Sequence, residues 1–197
     1  MPDTSLAHVL TPEGWALLNS LGPYLESESL KLNTELRKAG HSPELVAAVL
    51  TQARLRMKAR AKFGPFAEHM LFTPAGLEQA TRLNVAALHA QRYQEARLER
   101  VADLGCGIGA DSLALATLDR QVTAVELDEI TAAVATINLM PWPEAKVVQG
   151  DAESFDLTGF DGVWLDPARR TTSTSGTSRI FDPEAFSPPL SFVESLA

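Results

Sequence analysis

The first half of the chain has apolar residues at the three- and four-residue spacings of α-helices. Residues 11–13, Thr-Pro-Glu, predict a helix N-terminus, and a further helix is expected within residues 28–40, ending at Gly40. Ser42-Pro43 predicts the start of another helix, whose apolar stripe comprises Val46, Val49, Leu50, Ala53 and Met57. We therefore expect an all-α N-terminal domain over residues 1–70.

A connecting segment is predicted over residues 71–98. The stretch LFTPAGLEQATRLNVAALHAQRY indicates one helix that begins at Thr73-Pro74. Its expected apolar face comprises Leu77, Ala80, Leu83, Ala87 and Leu88. Because it leads directly into the second half, we interpret it as a lid or connecting helix.

After residue 99 the pattern changes to short apolar strands that alternate with helices. Four strands are predicted, in the stretches RVADLG, QVTAVEL, AKVVQGD and FDGVWLDP. Such alternation is typical of a parallel sheet with helices on its faces, here over residues 99–197. Residues 171–178, TTSTSGTS, predict a mobile loop. A doubly wound sheet usually has more than four strands, so we expect either an unusually small sheet or the N-terminal part of a longer protein.

Charge and cysteine content narrow the picture further. The single cysteine and four scattered histidines offer no zinc-ligand spacing. The single cysteine also fits a reducing, cytoplasmic compartment. Residues 1–100 carry 12 basic and 10 acidic side chains, whereas residues 101–197 carry 5 and 15. Five cations lie close together on the last predicted helix of the first domain: Arg54, Arg56, Lys58, Arg60 and Lys62. They predict either a solvated helix face or a contact with RNA phosphates, with Arg54, Lys58 and Lys62 in one row.

The glycine-rich stretch VADLGCGIGAD, residues 101–111, predicts a loop that a ligand approaches closely. A triphosphate-binding loop would need Lys followed by Ser or Thr, which are absent here. A dinucleotide-binding motif remains compatible with the sequence, because its spacing is matched by Gly105, Gly107, Ala110 and the downstream Glu126. Asp103, however, would repel a pyrophosphate and attract an ammonium group. The loop therefore favours a nucleoside that carries an amino-acid part.

These residues resemble the class I S-adenosylmethionine-dependent methyltransferases. The matching stretches are VADLGCGIGAD, VTAVELD, VVQGDAESF and FDGVWLDPARR, in the family's order and at its spacing. LFTPAGLEQATR is similar to the segment that precedes this fold in bacterial methyltransferases with a THUMP-like domain. The resemblance implies a Rossmann-like sheet and S-adenosylmethionine as the cofactor.

The resemblance also implies roles for individual residues. The cofactor contacts would be Thr73, Asp103, Gly105, Gly107, Gly109, Glu126, Leu127, Asp151 and Ala152. In the family pattern Asp103 contacts the methionine amino group, Glu126 accepts both ribose hydroxyls, and the last three residues surround the adenine. Asp166 and Pro167 stand where amino-group methyltransferases hold the target nitrogen, which gives them the catalytic role.

The match to the amino-group motif is incomplete. Ala168 replaces its second proline, and Arg169 replaces the aromatic residue that stacks on the target base. LDPAR is also similar to RNA uracil-C5 methyltransferases, but Cys106 lies in the glycine loop rather than at an acceptor site. We therefore expect N-methylation of an RNA base, with Arg169 and the basic row on the substrate. The alternatives are a small-molecule or protein acceptor, a non-catalytic nucleoside- or RNA-binding module, and a nicotinamide-dependent dehydrogenase.

Overall fold

A computed structural model describes residues 4–167, 170–173 and 176–196, and the chain forms two compact units, Met1–Phe72 and Thr73–Ala197. No helix in these described ranges is long and apolar enough to cross a membrane.

The first unit is built around one long helix. The bounds of its helices are α1 Thr4–Val9, α2 Pro12–Ser20, α3 Ser29–Lys38 and α4 Pro43–Phe63, followed by a 3-10 helix at Gly64–His69. The predicted N-caps are confirmed, because Thr11 and Ser42 each accept a hydrogen bond from a backbone N–H of the first turn that follows. The other three helices and the 3-10 helix pack on α4, which therefore organises the core of this unit.

The buried face of α4 is wider than the predicted stripe. Val46, Val49, Leu50 and Ala53 are buried as expected, but Met57 is exposed. Arg56, assigned to a solvated row, is buried: its Nε donates to the Met70 carbonyl and its Nη1 to Asn19 Oδ1. Its guanidinium lies 5.5 Å from the ring centroid of Trp15. The prediction for Arg56 was therefore wrong, because its fork geometry satisfies backbone and side-chain acceptors inside the unit.

The second unit is an α/β layer structure. Its helices are α5 Pro74–Gln79, α6 Leu83–Glu95, α7 Ala110–Ala116, α8 Glu129–Leu139 and α9 Leu190–Ser195. Its main sheet contains β1 Arg100–Leu104, β2 Gln121–Glu126, β3 Ala145–Gln149 and β4 Gly162–Leu165, in the order β3-β2-β1-β4. All three pairings are parallel. The predicted fold class, a helical region followed by a Rossmann-like sheet, is confirmed.

Each face of the sheet has its own apolar cluster. On one face, Val101 and Val122 pack with α6 and α7 through Ala86, Ala90 and Leu115. On the other face, Ala102, Leu104 and Val125 pack with half-buried residues that include Phe155, Phe160 and Phe192. Because the sheet is covered on both faces, ligands reach it at the carboxyl ends of the strands.

The single helix predicted from Thr73-Pro74 is two helices. The chain leaves the helical conformation at Ala80, whose ψ is 138°, and α6 begins at Leu83 with a new phase. As a result, Leu88 is 61% exposed, and Ala86 and Ala90 form the buried positions instead. The three residues of this break, 80–82, include no Gly or Pro. The apolar periodicity of the sequence therefore predicted one continuous helix across it.

The predicted mobile loop at residues 171–178 also differs. Strands β5 Arg170–Ser173 and β6 Gly176–Arg179 pair antiparallel. Threonine is common in strands, so a Thr/Ser-rich composition is compatible with paired strands, and residues 174 and 175 lie outside the described residues.

Candidate active site

A cavity of about 490 Å³ opens at the carboxyl ends of β1, β2 and β4. Most of the cofactor and catalytic residues predicted from the sequence line it: Thr73, Asp103, Gly105, Gly107, Glu126, Leu127, Asp151, Ala152, Asp166 and Pro167. The volume lies within the range of small-molecule sites, roughly 300–1,000 Å³. The structure therefore brings together residues that are up to 94 positions apart in the sequence, from Thr73 to Pro167.

Hydrogen bonds to β2 hold the glycine loop in place. The backbone N–H groups of Gly105 and Cys106 both donate to the Val125 carbonyl, at 2.9 Å each. Gly105 and Gly107 have φ values of 79° and 57°, in the left-handed region that favours glycine, and a Cβ at either would meet open space. The loop can thus be approached closely by a ligand from the cavity side.

Asp103 is the deepest acidic group of the cavity wall. It is 2% exposed, and its Oδ2 accepts a hydrogen bond of 2.5 Å from Ser112 Oγ. Burial raises the pKa of Asp103 to about 7, with Asp111 and Glu126 adding like-charge repulsion against the Ser112 hydrogen bond. No basic side chain hydrogen-bonds this carboxylate in the described part of the chain, so a cationic ligand group would be attracted to it.

Glu126 is oriented before any ligand arrives. Its Oε2 accepts from the N–H of Gly107 and its Oε1 from the N–H of Asp128, both at 2.9 Å. Each carboxylate oxygen can accept a second hydrogen bond, so Glu126 can still receive two hydroxyl donors. Its predicted ribose role requires this capacity.

Carboxylates dominate the charge of the cavity. Seven line it, Glu78, Asp103, Asp111, Glu126, Asp151, Glu153 and Asp166, and no Lys or Arg does so within the described ranges. A pyrophosphate or triphosphate would face repulsion from this wall, whereas a ligand with ammonium and sulfonium groups would be attracted. Together with the open glycine cradle, this charge fits S-adenosylmethionine and argues against a nicotinamide dinucleotide.

Helix α5 closes one side of the glycine loop. Thr73 is its N-cap, with Oγ1 accepting from the Gly76 N–H at 2.9 Å. A Cβ on Gly76 would stand 2.5 Å from Ile108 Cγ2 and 2.7 Å from Thr73 Oγ1. Only glycine allows this approach of α5 to the loop. Thr73 thus lines the cavity and also caps α5, the helix that packs against the glycine loop.

Some predicted site residues lie elsewhere. Gly109 is not among the cavity-lining residues, and its close approach is to Leu139 of α8, 3.2 Å from the position of a Cβ. Arg169 lies outside the described residues. Arg54, Lys58 and Lys62 belong to the first unit, where Arg54 pairs with Glu26 at 3.0 Å.

Sequence reasoning missed a cluster beside Asp103. His89 on α6 was given no role, yet its Nδ1 lies 2.8 Å from Asp111 Oδ1 and its ring stacks on Trp164 at 4.3 Å. Asp111 and Trp164 both line the cavity. The signal was present in the spacing Ala86, His89, Ala90 and Tyr93, which places His89 on the inward face once α6 has its own phase. The described residues contain no cluster of three or more His, Cys, Asp or Glu that could hold a metal ion.

Comparison with known families agrees with this geometry. Residues 101–175 match the family model described as "Methyltransferase domain", and residues 3–59 match a domain of unknown function, DUF8688. Residues 101–175 thus carry a methyltransferase domain. The match confirms the predicted enzyme class of this domain and its cofactor, S-adenosylmethionine. A search of curated proteins finds no match.

Solved structures with a similar arrangement come from several organisms. A candidate methyltransferase of Porphyromonas gingivalis W83 is 22% identical, with a TM-score of 0.50, over 75% of this chain and 42% of that one. A candidate RNA methyltransferase of Pyrococcus horikoshii is 28% identical, with a TM-score of 0.45 over 59% of each chain. The amino pentose methyltransferase CalS10 of Micromonospora echinaspora, with S-adenosylmethionine bound, is 33% identical, with a TM-score of 0.39 over 47% and 39%. The present chain thus spans less than two thirds of each.

Proposed function

We propose that the protein transfers a methyl group from S-adenosylmethionine to a nitrogen of a base in RNA. The observation that carries the cofactor half of this proposal is a cavity whose charged side chains, among the described residues, are all carboxylates, with a buried Asp103 beside an open glycine loop. The acceptor half is supported by the Asp166-Pro167 pair at the end of β4 and by the cations of α4.

Each of these cavity residues would bind a different part of the cofactor or of the acceptor. Asp103 holds the ammonium group of the cofactor, Glu126 holds the ribose hydroxyls, and Leu127, Asp151 and Ala152 surround the adenine. When bound, S-adenosylmethionine supplies an electrophilic methyl group. Asp166 and the Pro167 carbonyl accept hydrogen bonds from the acceptor amino group and align its nitrogen lone pair. Positioning and exclusion of water supply most of the rate enhancement in such a transfer, so the site needs no strong base.

The two parts of the chain would have separate roles. We assign methyl transfer to residues 99–197 together with the helical segment 71–98, and binding of the RNA to residues 1–70 through Arg54, Lys58 and Lys62. Arg169, which follows the Asp166-Pro167 pair closely, would contact the RNA near its target base. The LFTPAGLEQATR stretch supports a place among the methyltransferases with a THUMP-like domain, and the single Cys106 supports a cytoplasmic location.

A second acceptor class is favoured by one observation. The described residues of the cavity wall include no Lys or Arg that would receive a phosphate. A compact amine on a small molecule or a protein would enter this cavity without repulsion. A substrate of this kind predicts no dependence of acceptor binding on the cations of α4, whereas RNA requires it.

The deciding experiment is calorimetric titration of the protein with S-adenosylhomocysteine and, separately, with NAD. We expect binding of the thioether nucleoside only. In a Glu126→Ala variant this affinity should fall about tenfold or more, because hydrogen bonds to a charged group contribute roughly 1.5–3 kcal/mol. Glu129→Ala is the matched control, since Glu129 is exposed and does not line the cavity. Binding of NAD, or equal weakening in both variants, would contradict the proposal.

A further inference from the structure

Trp164 lies beside Asp103, and the sequence motifs assign it no role. Asp103 of β1 and Trp164 of β4 are paired in register, so their side chains leave the same face of the sheet. Neighbouring strands lie about 4.8 Å apart. Both residues line the cavity. In the proposed binding mode the sulfonium lies between the ammonium group, which Asp103 holds, and the acceptor nitrogen, which Asp166 holds. Trp164 lies between these two side chains, because it pairs with Asp103 and precedes Asp166 by two residues. The indole is therefore beside the place of the sulfonium.

The indole of Trp164 is held by its neighbours. The His89 ring stacks against it with an interplanar angle of 28°. The Tyr93 ring meets it edge-on at 6.4 Å, and Tyr93 Oη donates to the Val163 carbonyl. Asp111 fixes the imidazole through its Nδ1. The wall is thus rigid before a ligand binds, which lowers the entropy lost on binding.

We propose that Trp164 is a specificity-determining residue that favours the cationic sulfonium cofactor over its neutral thioether product, with His89 and Asp111 as positioning residues for the indole. This inference rests on the proposed function. The face of an indole carries negative electrostatic potential and attracts cations within about 6 Å of its centroid. The attraction is strongest where the cation is desolvated, and Trp164 is itself partly buried in the cavity wall.

The consequence is a difference between substrate and product of the same shape. The sulfonium cofactor carries one positive charge more than S-adenosylhomocysteine, and methyl transfer removes it. Contacts of Asp103 with the amino group and of Glu126 with the ribose hold both molecules. Trp164 acts on the charge that is lost, so it lowers the affinity for the product relative to the cofactor and assists product release.

The test measures dissociation constants for S-adenosylmethionine and S-adenosylhomocysteine by calorimetry, with sinefungin as a stable cationic probe. In Trp164→Leu, we expect the two cations to bind about tenfold more weakly and the thioether less than about twofold more weakly. Trp164→Phe should retain most of the preference. Trp142→Leu is the matched control, because Trp142 is in the same unit but does not line the cavity.

The role of His89 has its own readout. His89→Phe keeps a ring against the indole and should keep the preference for the cations, whereas His89→Ala should lose it. Neither variant can make the hydrogen bond to Asp111. If both lose the preference for the cationic ligands, the preference depends on Asp111 rather than on the stacking of a ring against the indole. Thermal unfolding of each variant identifies any that do not fold.

The outcomes separate this inference from the function on which it rests. If the wild-type protein binds none of the three ligands, the proposed function and this inference both fail. If it binds them and Trp164→Leu leaves the ratio of cation to thioether affinities unchanged, the methyltransferase proposal stands and the role of Trp164 is overturned. Equal weakening for all three ligands overturns it too, because it would indicate a contact with the shared part of the molecules.

Discussion

At the scale of single residues, Asp103 combines a cost in stability with a proposed role in binding. Burial raises its pKa to about 7, far above the ordinary aspartate value, so the folded state holds a proton that the unfolded chain has lost. Stability from this group is complete below about pH 4 and is lost as the pH rises towards 7. The site therefore contains a carboxylate that disfavours folding at neutral pH and that a cationic ligand would favour.

We predict that Asp103→Asn stabilises the ligand-free protein at pH 8. An amide replaces a charge that is costly to bury, so the free energy of unfolding should rise by up to roughly 4 kcal/mol, at 1.36 kcal/mol per unit of pKa shift. Denaturant unfolding at pH 4 and pH 8 measures it, and the two proteins should differ much less at pH 4. A lower stability of the variant at pH 8 would contradict this account.

Protonation of Asp103 should also change the affinity for ligands. The affinity for S-adenosylhomocysteine, which keeps the amino group, should fall as the pH decreases through about 7, because a protonated Asp103 no longer pairs with ammonium. Ser112→Ala removes the hydrogen bond that lowers the pKa of Asp103 and should shift this dependence to higher pH. Calorimetry between pH 5.5 and pH 8.5 would measure both curves, and a flat curve would exclude Asp103 from the contact.

At the scale of elements, the predicted basic face of α4 separates into buried and exposed side chains. We predict that Arg56→Met destabilises the first unit by about 2–4 kcal/mol, since it leaves the buried Met70 carbonyl without its donor. Arg54→Met is the matched change on the same helix and should cost less than about 1 kcal/mol, because its pair with Glu26 is half exposed. Chemical unfolding followed by circular dichroism compares them, and an equally small loss of stability in both variants would contradict the structural role of Arg56.

The contact of α5 with the glycine loop gives a second prediction at this scale. Gly76→Ala should destabilise the second unit by about 1–3 kcal/mol and weaken S-adenosylhomocysteine binding, because the added Cβ displaces Ile108, a residue of the loop itself. Gly22→Ala is the control, since a Cβ there meets nothing within 4 Å. Unchanged binding in a folded Gly76→Ala protein would show that α5 does not support the loop.

The elements also show what local sequence could and could not predict. The four parallel strands and the caps at Thr11 and Ser42 follow from apolar runs and short polar residues, which act locally. The break after Gln79 and the inward position of His89 depend on how α6 packs on α7, a long-range contact without a local marker. Accordingly, the sequence pointed to Asp103 and Glu126, which line the cavity, but not to the cluster of His89, Asp111 and Trp164.

At the scale of the whole molecule, charge is divided between the two units. Residues 1–72 carry 8 basic and 7 acidic side chains, and residues 73–197 carry 9 and 18. An acidic unit of this kind attracts a cationic cofactor and repels a polyanion. If RNA is the acceptor, most of its phosphate contacts must therefore come from the first unit. The proposal that Arg54, Lys58 and Lys62 bind RNA depends on this division.

Salt dependence of RNA binding tests that division. Three phosphate contacts on a single strand predict that the logarithm of affinity falls with the logarithm of salt concentration with a slope of about −2. Replacing Arg54, Lys58 and Lys62 together by Gln should bring the slope close to zero. Replacing Lys31, Arg37 and Lys38 of α3 by Gln removes the same charge and should leave it unchanged. Fluorescence anisotropy with a labelled RNA oligonucleotide measures the slopes. A wild-type slope near zero would favour a small-molecule or protein acceptor, because counterion release accompanies every phosphate contact.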